Sequence, residues 1–193
     1  IAHLILMPLV VWALTAEHLE PIGKVGIFFA AGLWFGQVSN ANAHELIHRS
    51  SRGLHRLGMW VYITMLFGHH TSAHVLVHHR YVATYADPNT SRKGESLYRY
   101  ILRAWIGSFR EGYRAEAARL SKIGRPAWRN PYAVYVGGAL ACVVAAFSVG
   151  GGVMVLAYIG LCAYAQSQLL MSDYVQHYGL TRARDANGKH VPV

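Results

Sequence analysis

Apolar positions in this chain come in long unbroken blocks, not in the short alternating runs of a half-buried strand. Residues 26–38 and residues 132–171 contain no Asp, Glu, Lys or Arg. A soluble helix of such length shows a polar face, whereas uncharged blocks of about 18 residues or more suit a bilayer crossing. Four stretches are expected to cross: residues 1–16, 22–43, 132–149 and 153–171. A polar turn ending at Pro21 separates the first two, and Gly150, Gly151 and Gly152 form a tight turn between the last two. A fifth apolar stretch, residues 57–67, is too short to span and is expected to lie along the interface or to enter and return. Residues 95–129 predict an amphipathic helix. Its apolar positions Leu97, Ile101, Leu102, Trp105, Ile106 and Phe109 recur at helical spacing, and Arg99, Arg103, Arg110 and Arg114 occupy others. The expected fold is all-α: one membrane-embedded helical domain over residues 1–193, with residues 44–131 and 172–193 on a shared side.

Charge orients that arrangement. The net charge of +9 raises nucleic-acid binding as a possibility, but no nucleic-acid motif accompanies it and no such partner is expected. Of the 18 Lys and Arg residues, 14 fall between Arg49 and Arg129, and Arg182, Arg184 and Lys189 follow the last crossing. Only Lys24 lies on the opposite side, beside a helix end where it can snorkel. The positive-inside rule makes the shared side cytoplasmic, and the expected location is the bacterial inner membrane. The two cysteines, Cys142 and Cys162, sit in apolar blocks and read as small buried hydrophobes with no disulfide expected. The chain opens within an apolar run and not with Met, so it is expected to be an internal piece of a longer protein.

Twelve histidines are an excess, and they cluster. His44 and His48 form one pair and His74, His78 and His79 a second group; His177 stands alone, followed by Tyr178 and Gly179. Residues four apart on a helix are neighbours on one face, about 5–6 Å apart at Cβ. His44 with His48, and His74 with His78, can therefore each share a metal. His79 lies about 100° further round, toward a second metal or a neighbouring position. The topology puts all six on one membrane face. Imidazole ligands suit Fe, Cu, Zn or Ni, and five or six of them exceed the needs of one zinc, so a two-metal site is expected. The other histidines lack a paired spacing; His69 and His70, nearest the cluster, are read as structural or supporting, as are His3, His18, His55 and His190.

These residues carry a resemblance. His44, Glu45, His48 and Arg49 resemble the first histidine box of the membrane-bound alkane hydroxylases, and His74, His78 and His79 the second. The run from His79 through Asp87 and Pro88, with Ser91 to Arg99 beyond it, is similar to the sequence after that box. Gln176 to Leu180 resembles the family's His-Tyr-Gly motif. The resemblance implies a di-iron enzyme with nine histidine ligands, six of which map onto His44, His48, His74, His78, His79 and His177. It implies two Fe ions as cofactor and O2 as co-substrate. It implies hydroxylation of the terminal carbon of an alkane within membrane lipid, with electrons from a rubredoxin and its NADH-dependent reductase. Two departures stand out. Ala73 occupies the place of a usual Glu, and the third box, HxxHH, is expected beyond Val193.

Rival readings remain open on the residues alone. A fatty-acid desaturase or hydroxylase shares the histidine boxes, and an intramembrane zinc protease would use Glu45 as its base. A metal transporter calls for ionisable groups inside the crossings, and residues 132–171 hold none. Arg80, Asp87, Arg92 and Glu95 are candidates for supporting the metal ligands or docking an electron donor.

Overall fold

A computed structural model describes residues 1–183, 185 and 191, which form helices and loops with no strand among them. The histidine His190 and the basic residues Arg184 and Lys189 lie outside the described residues. Helix α1 (Ala2–Thr15) leads through a short polar turn to α2 (Pro21–Ile47). Pro21 opens α2 because its fixed φ suits the first helical turn and its missing N–H would have no partner there. Midway, Trp34–Ser39 widens into a π turn, and the helix then resumes through Asn40–Ile47. Helix α3 (Arg52–Thr64) follows, and α4 covers residues 70–81, with a second π turn at His74–His78. Helix α5 spans Leu97–Lys122.

The segment Tyr132–His177 is two helices, α6 and α7, joined where Gly150 and Gly151 leave helical geometry (φ −139° and +62°). The left-handed φ at Gly151 is open to glycine at little cost, so the triple glycine turns the chain as expected. The two arms and α1 line an apolar cavity of about 310 Å³, to which Met7 and Val11, Cys142 and Ala146, and Met154 and Tyr158 contribute.

By length and composition, Pro21–Ile47 and Tyr132–His177 can cross a membrane; α1 is a shorter apolar helix. Its 14 residues rise only about 21 Å. On α6 and α7 the outward residues are apolar, with Val144, Phe147, Val153 and Leu156 more than 60% exposed. Such a surface is costly in water and at home in lipid, so this is a helical membrane protein. Helices run beyond the expected crossings: α2 continues to Ile47 and carries His44, and α7 continues to His177.

Buried polar contacts fasten the apolar elements. His3 on α1 meets Ser39 Oγ through Nδ1 (2.9 Å) and Thr64 Oγ1 through Nε2 (3.0 Å), tying α1 to α2 and α3. Tyr62 donates to Asn40 Oδ1 at 2.9 Å. A Cβ on Gly58 would lie 2.8 Å from the Ala43 carbonyl, so α3 seats directly against the end of α2 that bears His44.

The amphipathic segment differs from its expectation. Its helix ends at Lys122, well short of residue 129, and a short 3-10 turn at Ala127–Arg129 follows. The buried stripe is Tyr100, Ala104, Ser108, Gly112, Glu116 and Leu120, while Leu102 and Ile106 are exposed. Small residues win the inner face because α5 must approach α4 closely; a Cβ on Gly112 would come within 3.0 Å of Ala73 Cβ. Leu97, Ile101, Trp105 and Phe109 pack partly buried beside that stripe, and Leu102 and Ile106 are left to face outward.

Candidate metal centre

The end of α2 and the whole of α4 bring the histidines together. His44 Nε2 lies 2.7 Å from His74 Nε2, and His79 Nε2 lies 2.9 Å from the same atom. His48 joins them, its ring 4.8 Å from that of His44 and 4.9 Å from that of His79. One ligand nitrogen from each of the four falls within 4.8 Å of every other. Imidazole nitrogens about 2.0–2.1 Å from one ion sit roughly 3 Å apart around it, so this donor set fits a single metal.

The π turn reshapes the expected pairing within the second cluster. A regular helix would put His74 beside His78. Here His78 still stacks on His74, but the wider turn brings His79 Nε2 to His74 Nε2, five residues away, and His78 stays outside the group of four. Inserted π turns commonly mark functional sites because they re-aim side chains without breaking the helix. His78 there meets His177, the ring centroids 5.1 Å apart. The six predicted histidines thus fall into a group of four and a neighbouring pair, with the His74 and His78 rings stacked at 5.2 Å between them.

Protonation states favour ligation. Burial, reinforced by the neighbouring His70 and His78, drives His74 far below the ordinary histidine range. Burial also lowers His48, together with the charge of His44, and His79, together with His48 and His78. Neutral imidazoles are the form that offers a lone pair. His78 behaves differently. Burial pulls its pKa down, but the hydrogen bond and charge of Asp87 outweigh that and raise it. His78 Nδ1 donates to Asp87 Oδ2 at 2.9 Å, which leaves Nε2 as the nitrogen free to ligate.

Asp87 is held by the loop that follows α4. Its Oδ2 also accepts from Thr90 Oγ1 (2.7 Å), and its Oδ1 from the Asn89 backbone (3.0 Å). Asn89 Nδ2 in turn donates to Asp173 Oδ2 at 2.8 Å, one helical turn before His177. Arg103 braces the loop from α5, donating to the Pro88 and Thr90 carbonyls and to both oxygens of Glu95. That contact holds the Glu95 carboxyl below the usual carboxylate range.

The His-Tyr-Gly motif has a structural explanation here. Tyr178 OH accepts from Gly94 N (2.9 Å), and Gly179 N donates to the Ser91 carbonyl (3.0 Å). Gly179 adopts φ +70°, and a Cβ there would sit 3.2 Å from Lys93 Cβ. The motif docks the end of α7 on the Asp87 loop and so sets His177 against His78.

The other singled-out residues sort plainly. His70 is buried and stacks on His74 at 4.9 Å. His69 points away, into a ring of Phe67, Trp105 and Phe109. His55 Nδ1 meets the Ile47 carbonyl, and His18 lies beside Trp12. Arg80 and Arg92 lie over the rings of Tyr81 and Tyr85. Ala73 packs against α5 at Gly112. Sequence reasoning missed Asp173, whose only signal is its place four residues before His177. It also missed Ser91, whose Oγ donates to the Tyr174 carbonyl at 2.7 Å.

Comparison with known proteins accords with this geometry. The family model described as fatty acid desaturase matches residues 21–192. "Alkane 1-monooxygenase 2" of Pseudomonas aeruginosa is 31% identical over 187 residues, covering 93% of this chain and 48% of that protein. "Alkane 1-monooxygenase 1" of Alcanivorax borkumensis is 34% identical over 176 residues, 89% of this chain and 43% of the relative. The "xylene/toluene monooxygenase hydroxylase component" of Pseudomonas putida is 28% identical over 173 residues, 88% and 46% of the two chains. The chain thus spans about half the length of the curated relatives it matches.

Proposed function

The chain belongs to the fatty acid desaturase family, in its alkane hydroxylase branch, and from that premise we propose that it is part of a membrane di-iron monooxygenase that hydroxylates the terminal carbon of alkanes. The observation that carries this reading is the convergence of His44, His48, His74 and His79 on one point, with His78 and His177 adjacent. The group of four would hold one iron. His78 and His177 would contribute to a second, with further imidazoles supplied by the third box that the resemblance implies. Iron so held supplies the redox chemistry by which O2 is split and one oxygen atom enters a C–H bond.

The protein's own part is positioning. Asp87 fixes the His78 tautomer and ring direction, and Asn89 and Asp173 fix Asp87 and its loop. His70 stacks on His74 and Tyr62 packs at a tilt against His70, so buried rings back the inner side of the cluster. His48 and His79 are exposed, so the cluster opens at the surface, where a soluble electron donor can approach. The proposed donor is rubredoxin, supplied by an NADH-dependent reductase. The proposed topology has four crossings, α1, α2, α6 and α7, in the bacterial inner membrane, with the site on the cytoplasmic face.

The test is turnover. Membranes holding the protein at its natural length, given rubredoxin, its reductase and NADH, should convert medium-chain alkanes to 1-alkanols. Oxidation confined to acyl chains, with alkenes as products, would establish the desaturase alternative.

A further inference from the structure

A second cavity, of about 550 Å³, lies against α4 and is lined by none of the six candidate ligand histidines. Five helices build it, and its floor is polar and buried. Glu116, 5% exposed, accepts from Ser72 Oγ at 2.7 Å through Oε1, and Ser72 Oγ also meets Tyr135 OH at 2.8 Å. Two floor atoms have no hydrogen-bond partner among the described residues: Thr71 Oγ1 and Glu116 Oε2. Arg119 Nε pairs with that Glu116 oxygen at 3.0 Å, so only Thr71 Oγ1 is left with neither a hydrogen bond nor an ion pair. A buried polar atom left unpaired costs stability unless something else serves it.

The mouth is of two kinds. Arg56 and Arg119, both exposed, stand on its polar rim. Trp60 and Val134, 41% and 46% exposed, form its apolar rim, and Val134 lies in the first turn of the membrane helix α6. The two guanidinium groups and the Glu116 carboxylate leave one positive charge for an occupant to neutralise. The floor asks for a hydroxyl-compatible partner at Thr71. The apolar rim asks for hydrocarbon on the membrane side.

We propose that this cavity binds the headgroup of an anionic phospholipid of the phosphoglycerol type. The phosphodiester lies between Arg56 and Arg119, a glycerol hydroxyl reaches Thr71, and the acyl chains pass over Trp60 and Val134. Arginine suits phosphate because its planar fork matches the oxygen geometry, and interfacial basic residues favour anionic lipid. A zwitterionic lipid would leave the positive charge unbalanced. The site needs no metal, so it stands or falls separately from the oxygenase reading.

The experiment is native mass spectrometry of the detergent-purified protein at its natural length after exchange into phosphatidylcholine nanodiscs containing a fraction of phosphatidylglycerol. The expected result is one retained phosphatidylglycerol per chain in preference to phosphatidylcholine. The double variant Arg56→Ala/Arg119→Ala should lower that preference about thirtyfold. Thr71→Val, which keeps the side-chain shape, should lower it less while leaving the fold and the headgroup-independent lipid shell intact. Equal retention of the two lipids by the wild type would overturn the proposal, as would full preference in the double variant. Displacement of the lipid by millimolar glycerol 1-phosphate would reveal a soluble-phosphate site and overturn the lipid assignment.

Discussion

Asp87 Oδ2 stands 2.9 Å from His78 Nδ1 and 2.7 Å from Thr90 Oγ1, at the bottom of a loop where it is 2% exposed. Removing such a partner frees the imidazole to rotate and change tautomer, which typically weakens metal binding about 10–100-fold. Asp87→Ala should therefore weaken iron binding by that order without unfolding the chain, read by titration with Fe(II) under anaerobic conditions. Unchanged affinity would mean that His78 is not a ligand. His69 bears on stability instead. Burial pushes it down to about 3 from an ordinary 6.5, so it stays neutral in the fold. The unfolded chain takes up that proton below pH 6.5, so the contribution is present above 6.5 and lost as pH falls from 6.5 toward 3. Over the 1.5 pH units to pH 5 the loss is about 2 kcal/mol at most. Thermal unfolding at pH 7.5 and pH 5 should show a drop that His69→Leu reduces; an identical drop in the variant would contradict the assignment.

At the scale of elements, the histidine clusters were legible because ligand spacing on a helix is a local property. Which histidines share a metal was not. His74 and His78 match the regular four-residue spacing, and nothing in that pattern announces the π turn that brings His79 to His74 instead. The buried face of α5 was hidden for a related reason: contact with α4 selects Gly112 for closeness, against hydrophobicity. The loop between α4 and α5 depends on Arg103, which makes four hydrogen bonds to loop atoms, two of them to the Glu95 carboxylate. Hydrogen bonds to charged groups contribute about 1.5–3 kcal/mol each and are not additive. Arg103→Met should destabilise by about 2–4 kcal/mol and release the Asp87 loop, visible as faster amide exchange over residues 83–96. A loop that stays protected in the variant would show that Tyr174 and Tyr178 suffice to hold it.

For the whole molecule, hydropathy and the distribution of Lys and Arg made the helical membrane class legible, together with the turn at Gly150 and Gly151. The count of crossings was not settled in the same way, because α1 has only 14 residues and α2 and α7 run on past the expected boundaries. Accessibility labelling tests the proposed topology: cysteines placed at Gly152 and Glu17 should react from the periplasm, and one at Arg114 only after the inner membrane is opened. Periplasmic reactivity at Arg114 would invert the arrangement and separate the histidines from a cytoplasmic electron donor. The central claim is that the four converging imidazoles hold redox-active iron, and metal analysis of the natural-length protein isolated from membranes tests it most directly. The account predicts iron, near two per chain on the di-iron reading, with most of it lost in His74→Ala, since His74 Nε2 approaches both His44 and His79. Stoichiometric zinc without iron in active protein, or iron undiminished in His74→Ala, would contradict it.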